Sequence, residues 1–226
     1  MKQDFGNLPS SASAEPQAHR LGALSEHYES GGRGPGTVSG GQGDPGGVSY
    51  GLFQLASRTG TAAAFVRAEG ARWSAELTGE PGSPAFSAAW RAIASRDGEA
   101  FAAAQRAFIE RSHYHPAVRS VLDATGHDLD RRPDALRDVV WSTAVQHGQA
   151  AQLLTGAVRA ADAKAARGTP GHDRVTIRET YRLRADHVRA LARRANPAER
   201  QVLTHVAGRR YPDECAAALA MLDAQA

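Results

Sequence analysis

The sequence predicts a predominantly α-helical α+β domain, interrupted once by a small β excursion. Apolar residues recur at three- and four-residue spacing along most of the chain, and alanine, the best helix former, is abundant. One stretch breaks that pattern: residues 31–51 read GGRGPGTVSGGQGDPGGVSYG, nearly half glycine, with short runs of β-favouring residues inside it.

In chain order, residues 1–17 are polar and punctuated by proline, which predicts a flexible tail ahead of a single domain over 18–226. A first helix is predicted over about residues 18–28, with Leu21, Leu24 and Tyr28 as its buried stripe. The glycine-rich stretch follows, with Thr37-Val38-Ser39 and Val48-Ser49-Tyr50 as extended pieces of a hairpin or loop folded over a cleft. Phe86, Trp90 and Ile93 make one helical stripe; Phe101, Phe108 and Ile109 make the next, after a break at Asp97-Gly98. Pro116 marks a helix end. Asp134 is placed to cap a helix carrying Leu136, Val139, Val140 and Thr143. Thr176-Ile177-Arg178-Glu179 fits a capping box opening a helix to about residue 194, and Asn196-Pro197-Ala198-Glu199 sets a cap, an N1 proline and an N3 acid in order.

Composition narrows the function. Apolar residues are 42% and charged residues 23%, as in globular proteins. The 27 Lys+Arg against 24 Asp+Glu give +3, spread without a basic run, so nucleic acid is not the predicted partner. The one cysteine, Cys215, excludes an intrachain disulfide and a multi-cysteine metal site, and is read as structural. No apolar run reaches the roughly 18 residues of a membrane span, and the N-terminus lacks the apolar centre of an export signal. The reading is a chain made in the cytoplasm, monomeric, without cofactor or metal, and delivered outward by another system.

The chemistry concentrates in Glu29-Ser30-Gly31 and Ser49-Tyr50-Gly51-Leu52-Phe53-Gln54. Glycosidic cleavage needs a carboxylic acid still protonated near neutral pH, and an acid at a helix end beside an apolar pocket meets that need. Glu29 has that setting; Glu26, one turn earlier, is read as a solvated helix charge. Asp44, in Gly43-Asp44-Pro45-Gly46, either serves as a second carboxylate or simply makes a turn. Tyr50, beside Gly51, is the better candidate for stacking on a sugar, while Trp90 and Trp141 are predicted in the core and Trp73 is left open. His113 and His115, two apart, lack metal-ligand spacing and are read as surface or packing residues. The arginines of Arg182-Leu183-Arg184 and Arg193-Arg194 are read as solvated helix faces.

The E-S-x and S-x-x-G-L-x-Q pair resembles the lysozyme-like superfamily, nearest the soluble lytic transglycosylase and goose-type lysozyme branch, and looks like wall-degrading domains of phage lysins and secreted antibacterial effectors. That resemblance implies cleavage of peptidoglycan glycan strands, by hydrolysis or by transglycosylation, with Glu29 as general acid. It implies that Ser49 and Gln54 order the cleft and that Gly51 permits close packing. Ala144-Val145-Gln146-His147-Gly148 is similar to a degenerate form of the family's later A-Y-N-A-G feature, placing Gln146 in the groove, and Tyr181 is the counterpart of its late tyrosine. An immunity or delivery protein is the implied partner. The alternatives are a chitosanase- or chitinase-like glycosidase and a non-catalytic wall-binding or assembly module.

Overall fold

The computed structural model describes residues 19–24, 34–41 and 46–225. Their fold is mostly helical with one small antiparallel sheet, strands β1 (Ser49–Tyr50) and β2 (Leu55–Ala56) pairing Ser49 with Ala56 and Tyr50 with Leu55. Val38 bridges the other side of Tyr50, so the two extended pieces read from the sequence do meet: Ser39 N–H donates to Ser49 O at 2.9 Å and Gly51 N–H to Thr37 O at 2.7 Å. The hairpin partner Leu55–Ala56 was not foreseen. Its turn uses Gly51 at φ 73° and Gln54 at φ 55°. An alanine Cβ at Gly51 would fall 2.1 Å from Gln105 Oε1, so only glycine fits there.

Among the described residues nine α-helices follow: α1 (Thr61–Arg67), α2 (Pro84–Arg96), α3 (Gly98–Ile109), α4 (His115–Thr125), α5 (Asp134–Gln146), α6 (Ala150–Asp162), α7 (Pro170–Ala192), α8 (Pro197–His205) and α9 (Tyr211–Ala224). Three of them start on one device, a capping side chain followed by proline at the first helical position. Ser83 Oγ accepts from Phe86 N–H at 3.2 Å, Thr169 Oγ1 from His172 N–H at 3.2 Å, and Asn196 Oδ1 from Glu199 N–H at 2.9 Å. The Thr169-Pro170 signal overrides the capping box read at Thr176. The Thr176 hydroxyl instead donates to the His172 carbonyl at 2.9 Å inside an established helix.

Three other expectations are corrected. The first helix does not begin near residue 18, because Gly22 adopts φ 86°, outside helical geometry, and residues 21–22 form a turn. Pro116 does not end a helix; it lies in the first turn of α4, where its missing N–H costs least. Asp134 is the first residue of α5 rather than its cap, Pro133 holding the cap position.

π-helical turns at Glu110–Tyr114 and Val206–Arg210 join α3 to α4 and α8 to α9. Each is followed two positions later by a proline, Pro116 or Pro212. A proline ring clashes with the carbonyl four residues back, and the wider turn relieves that contact.

One apolar core runs from Tyr50 to Leu222. Its N-terminal half is aromatic: Tyr50 and Phe86 centroids lie 5.1 Å apart, Tyr50 and Trp90 5.1 Å, Trp90 and Phe101 4.6 Å, and Phe65 and Trp90 5.4 Å. Such pairs contribute about 0.5–1.5 kcal/mol each beyond area burial. In the C-terminal half α6 lies along α7, which also packs on α8 and α9, while α9 packs on α5. Trp73, Trp90 and Trp141 are all buried.

Candidate functional site

The structure separates the predicted site residues into two groups. Glu29 and Asp44, the two acids, lie outside the described residues, as does Glu26. Ser49, Tyr50 and Gln54 belong to the hairpin. Gln146 and Tyr181 belong to the packing of α5, α7 and α9.

In the hairpin, Tyr50 is buried and does not offer its ring to a sugar. Its hydroxyl lies 2.9 Å from Ser87 Oγ and accepts from Gly82 N–H at 2.8 Å, while its ring packs on Phe86 and Trp90. Ser49 is buried, its backbone N–H donating to Ser39 Oγ at 2.8 Å. Gln54 is exposed at the turn. A residue not singled out in the sequence, Gln105, ties this region together. Its Oε1 accepts from Leu52 N–H at 2.9 Å and its Nε2 donates to Pro35 O at 3.0 Å, a carbonyl that also accepts from Trp90 Nε1 at 2.8 Å. The glycine-rich strand is thus fastened to α2 and α3 by buried amide and indole groups, not left as a spacer. A groove of about 570 Å³ beside it is lined by Arg20, Pro35, Ala94, Glu99 and Arg106, and Ser49, Tyr50, Gln54, Gln146 and Tyr181 are not in its wall.

The second group centres on Arg184, which is 0% exposed rather than part of a solvated face. Its Nη2 donates to Gln146 Oε1 at 2.7 Å and Ser142 Oγ at 3.0 Å, and its Nε donates to His147 Nε2 at 3.3 Å. Its guanidinium carbon sits 4.4 Å from the Tyr211 ring centre and 4.8 Å from that of Tyr181, so it is held between two aromatic faces. Glu214, also buried, balances the charge 3.6 Å away and is paired on its other side with Arg210. Because Arg184 donates to Nε2, His147 must be neutral with its proton on Nδ1. Burial first, then the nearby positive charge of Arg184, push its pKa down to about 3. Burial likewise raises the Tyr181 and Tyr211 phenols, keeping both protonated.

The one sign in the sequence that could have exposed Arg184 is its register. Ile177, Tyr181, Arg184 and Val188 fall at helical spacing on the buried stripe of α7, so the arginine occupies a core position. On the other side of the two tyrosines, Arg178, Tyr181, Arg182, Arg189, Tyr211 and Cys215 line a pocket of about 300 Å³. Cys215 is half-buried there, and burial pushes its thiol pKa up, which keeps it unreactive. His113, half-buried, has its Nδ1 2.7 Å from Ser112 Oγ, and His115 is exposed 3.4 Å from Glu110. Internal contacts hold the Arg184 cluster together, although Arg184 Nη1, the Tyr181 hydroxyl and Glu214 Oε2 have no hydrogen-bond partner among the described residues. What it does chemically is lock three helices.

No helix among the described residues is long and apolar enough to cross a membrane. The family model that matches, over residues 21–207, is that of the type VI secretion system spike protein VgrG3-like C-terminal domain. Among curated proteins the chain is similar to the type VI secretion system spike protein VgrG3 of Vibrio cholerae serotype O1, 37% identical over 139 residues. That match covers 61% of this chain and spans only 13% of the length of the relative. These findings correct two expectations. The chain's matched family is not the soluble lytic transglycosylase and goose-type lysozyme branch of the lysozyme-like superfamily. The peptidoglycan cleavage by Glu29 inferred from that branch falls with it, since both matches describe a secretion spike protein and neither names a glycan-cleaving enzyme. With most of its residues matched, from Leu21 through Ala207, the chain belongs to the family of type VI secretion system spike protein VgrG3-like C-terminal domains.

Proposed function

We propose that this chain works as a spike-associated module of a type VI secretion system, assembled with the spike and carried out of the producing cell by it. The observation that carries the reading is the family match over residues 21–207. The architecture supports it. A helical body with one apolar core, in which Arg184 ties α5, α7 and α9 together, is suited to being carried as one unit. Delivery by the apparatus supplies a route outward.

The test is export. In a bacterium with an active type VI system, the tagged chain expressed with its spike is recovered from the medium; without the contractile sheath it stays in the cells. Equal recovery from both strains overturns the reading. Glu29→Gln and Asp44→Asn leave export within twofold of wild type, because carriage on a spike needs no acid catalyst. Loss of export in either variant, with the protein still folded, would count against a purely positional role.

A further inference from the structure

His127, His172 and Asp173 form a second buried polar cluster, away from Arg184, where the end of α4 meets the first turn of α7. All three side chains are more than nine-tenths buried, and one potential ligand atom from each lies within 4.8 Å of the others. The two imidazole rings sit 4.9 Å apart, centre to centre. Two ring nitrogens there, His127 Nε2 and His172 Nδ1, have no hydrogen-bond partner among the described residues. Two buried, unpaired nitrogens side by side are costly unless something accepts their lone pairs, since each forfeits its hydration.

The surroundings are those of metal-ligating histidines. His172 Nε2 lies 3.0 Å from Asp162 Oδ1, so it carries the proton and donates, which leaves Nδ1 as a lone pair. Asp162 is held ionised by Arg167, while Arg132 donates Nε and Nη2 to the two oxygens of Asp173 at 2.9 and 2.7 Å. Each Asp173 oxygen keeps a second lone pair. The two carboxylates offset the two arginines, so the cluster has no net charge to repel a cation.

We propose that His127 Nε2, His172 Nδ1 and one oxygen of Asp173 bind a zinc ion that staples α4 to α7, with water in the fourth position. Nitrogen-rich sets favour zinc over magnesium or calcium, which take oxygen ligands. Tetrahedral zinc with bonds of about 2.0–2.1 Å places its ligands roughly 3.3 Å apart, so the side chains close by up to about 1.5 Å on binding.

The test uses the full chain, stripped with chelator and titrated calorimetrically with zinc, then with magnesium and calcium. One equivalent of zinc binds and raises the melting temperature; magnesium and calcium do neither. His127→Ala weakens zinc binding at least a hundredfold, and Asp162→Asn by about ten- to a hundredfold through loss of ring orientation. His115→Ala with His205→Ala, both at exposed positions, leaves it unchanged. If the His127 variant fails to fold, nitrogen-15 NMR of the wild type decides: zinc must shift the ring nitrogens of His127 and His172. Absence of saturable zinc binding, undiminished binding by folded His127→Ala, or shifts confined to other histidines overturns the proposal.

Discussion

Asp138 Oδ1 accepts the backbone N–H of Gly22 at 2.8 Å, joining residues 116 positions apart. The other oxygen accepts from Leu24 N–H at 2.9 Å, and His19 Nε2 lies 3.0 Å from the first. Asp138 is 0% exposed. The carboxylate thus caps the incoming N-terminal segment from the middle of α5, and Gly22 lies so close to Trp141 that a Cβ would fall 2.7 Å from its Nε1. Asp138→Ala leaves two buried N–H groups unpaired and is expected to cost about 3 kcal/mol or more. Urea denaturation measures this, and limited proteolysis should find residues 19–24 released first; a loss under 1 kcal/mol would mean that water replaces the carboxylate.

Gly51 and Gly98 make a matched pair. Gly51→Ala meets Gln105 Oε1 and a left-handed backbone, so a loss above about 2 kcal/mol is expected. Gly98 opens α3 with nothing within 4 Å of an added Cβ, so Gly98→Ala should be neutral or stabilise by up to about 1 kcal/mol. Thermal melts of the two variants side by side check the contrast.

Arg184→Ala removes the buried donor to Gln146, Ser142 and His147 and one of the two arginines beside Glu214, and about 3–5 kcal/mol should be lost. Arg184→Lys should recover little of it, because an ammonium reproduces neither the fork to Ser142, Gln146 and His147 nor the stacking between Tyr181 and Tyr211. Recovery of most of the stability by lysine would show that charge alone matters.

His147 gives a pH dependence with a definite sign. Folded, its pKa is about 3; unfolded, about 6.5. Between those values the unfolded chain binds a proton that the folded chain refuses, so stability is complete above pH 6.5 and falls as pH drops, by up to about 1.4 kcal/mol per unit. Urea midpoints at pH 7, 6 and 5 should decline for wild type and decline less steeply for His147→Gln. Parallel declines would assign the effect to other groups.

The sequence made local features legible and long-range ones much less so. Phe86, Trp90 and Ile93 declare their helix by spacing alone, and Asn196-Pro197 declares its cap within four residues. Thr176 misled because a capping box is only a local pattern, and Thr169-Pro170, seven residues earlier, had already started the helix. Gln105, Asp138 and Arg184 were not singled out, or were misplaced, because their partners lie 53, 116 and 38 residues away in Leu52, Gly22 and Gln146. Charged and amide residues on helices are usually solvated, so only the fold can mark these as interior. Tyr50 shows the reverse error: glycine beside an aromatic suggested access for a ligand, whereas the glycine is there to let the Gln105 amide reach the hairpin.

The π turn at Glu110–Tyr114 also sets the phase of everything after it. Ile109 and Tyr114 are both buried although five residues apart, a separation that in a regular helix, at about 100° per residue, turns a side chain well away from its predecessor. The wider coil absorbs the difference and keeps the two on one side. Removing a single residue from this segment would leave the rod helical yet rotate its downstream length by roughly a quarter turn, swinging Val118 and Val121 outward. The spacing between these helices is therefore a structural element in its own right, as intolerant of deletion as the side chains it aligns.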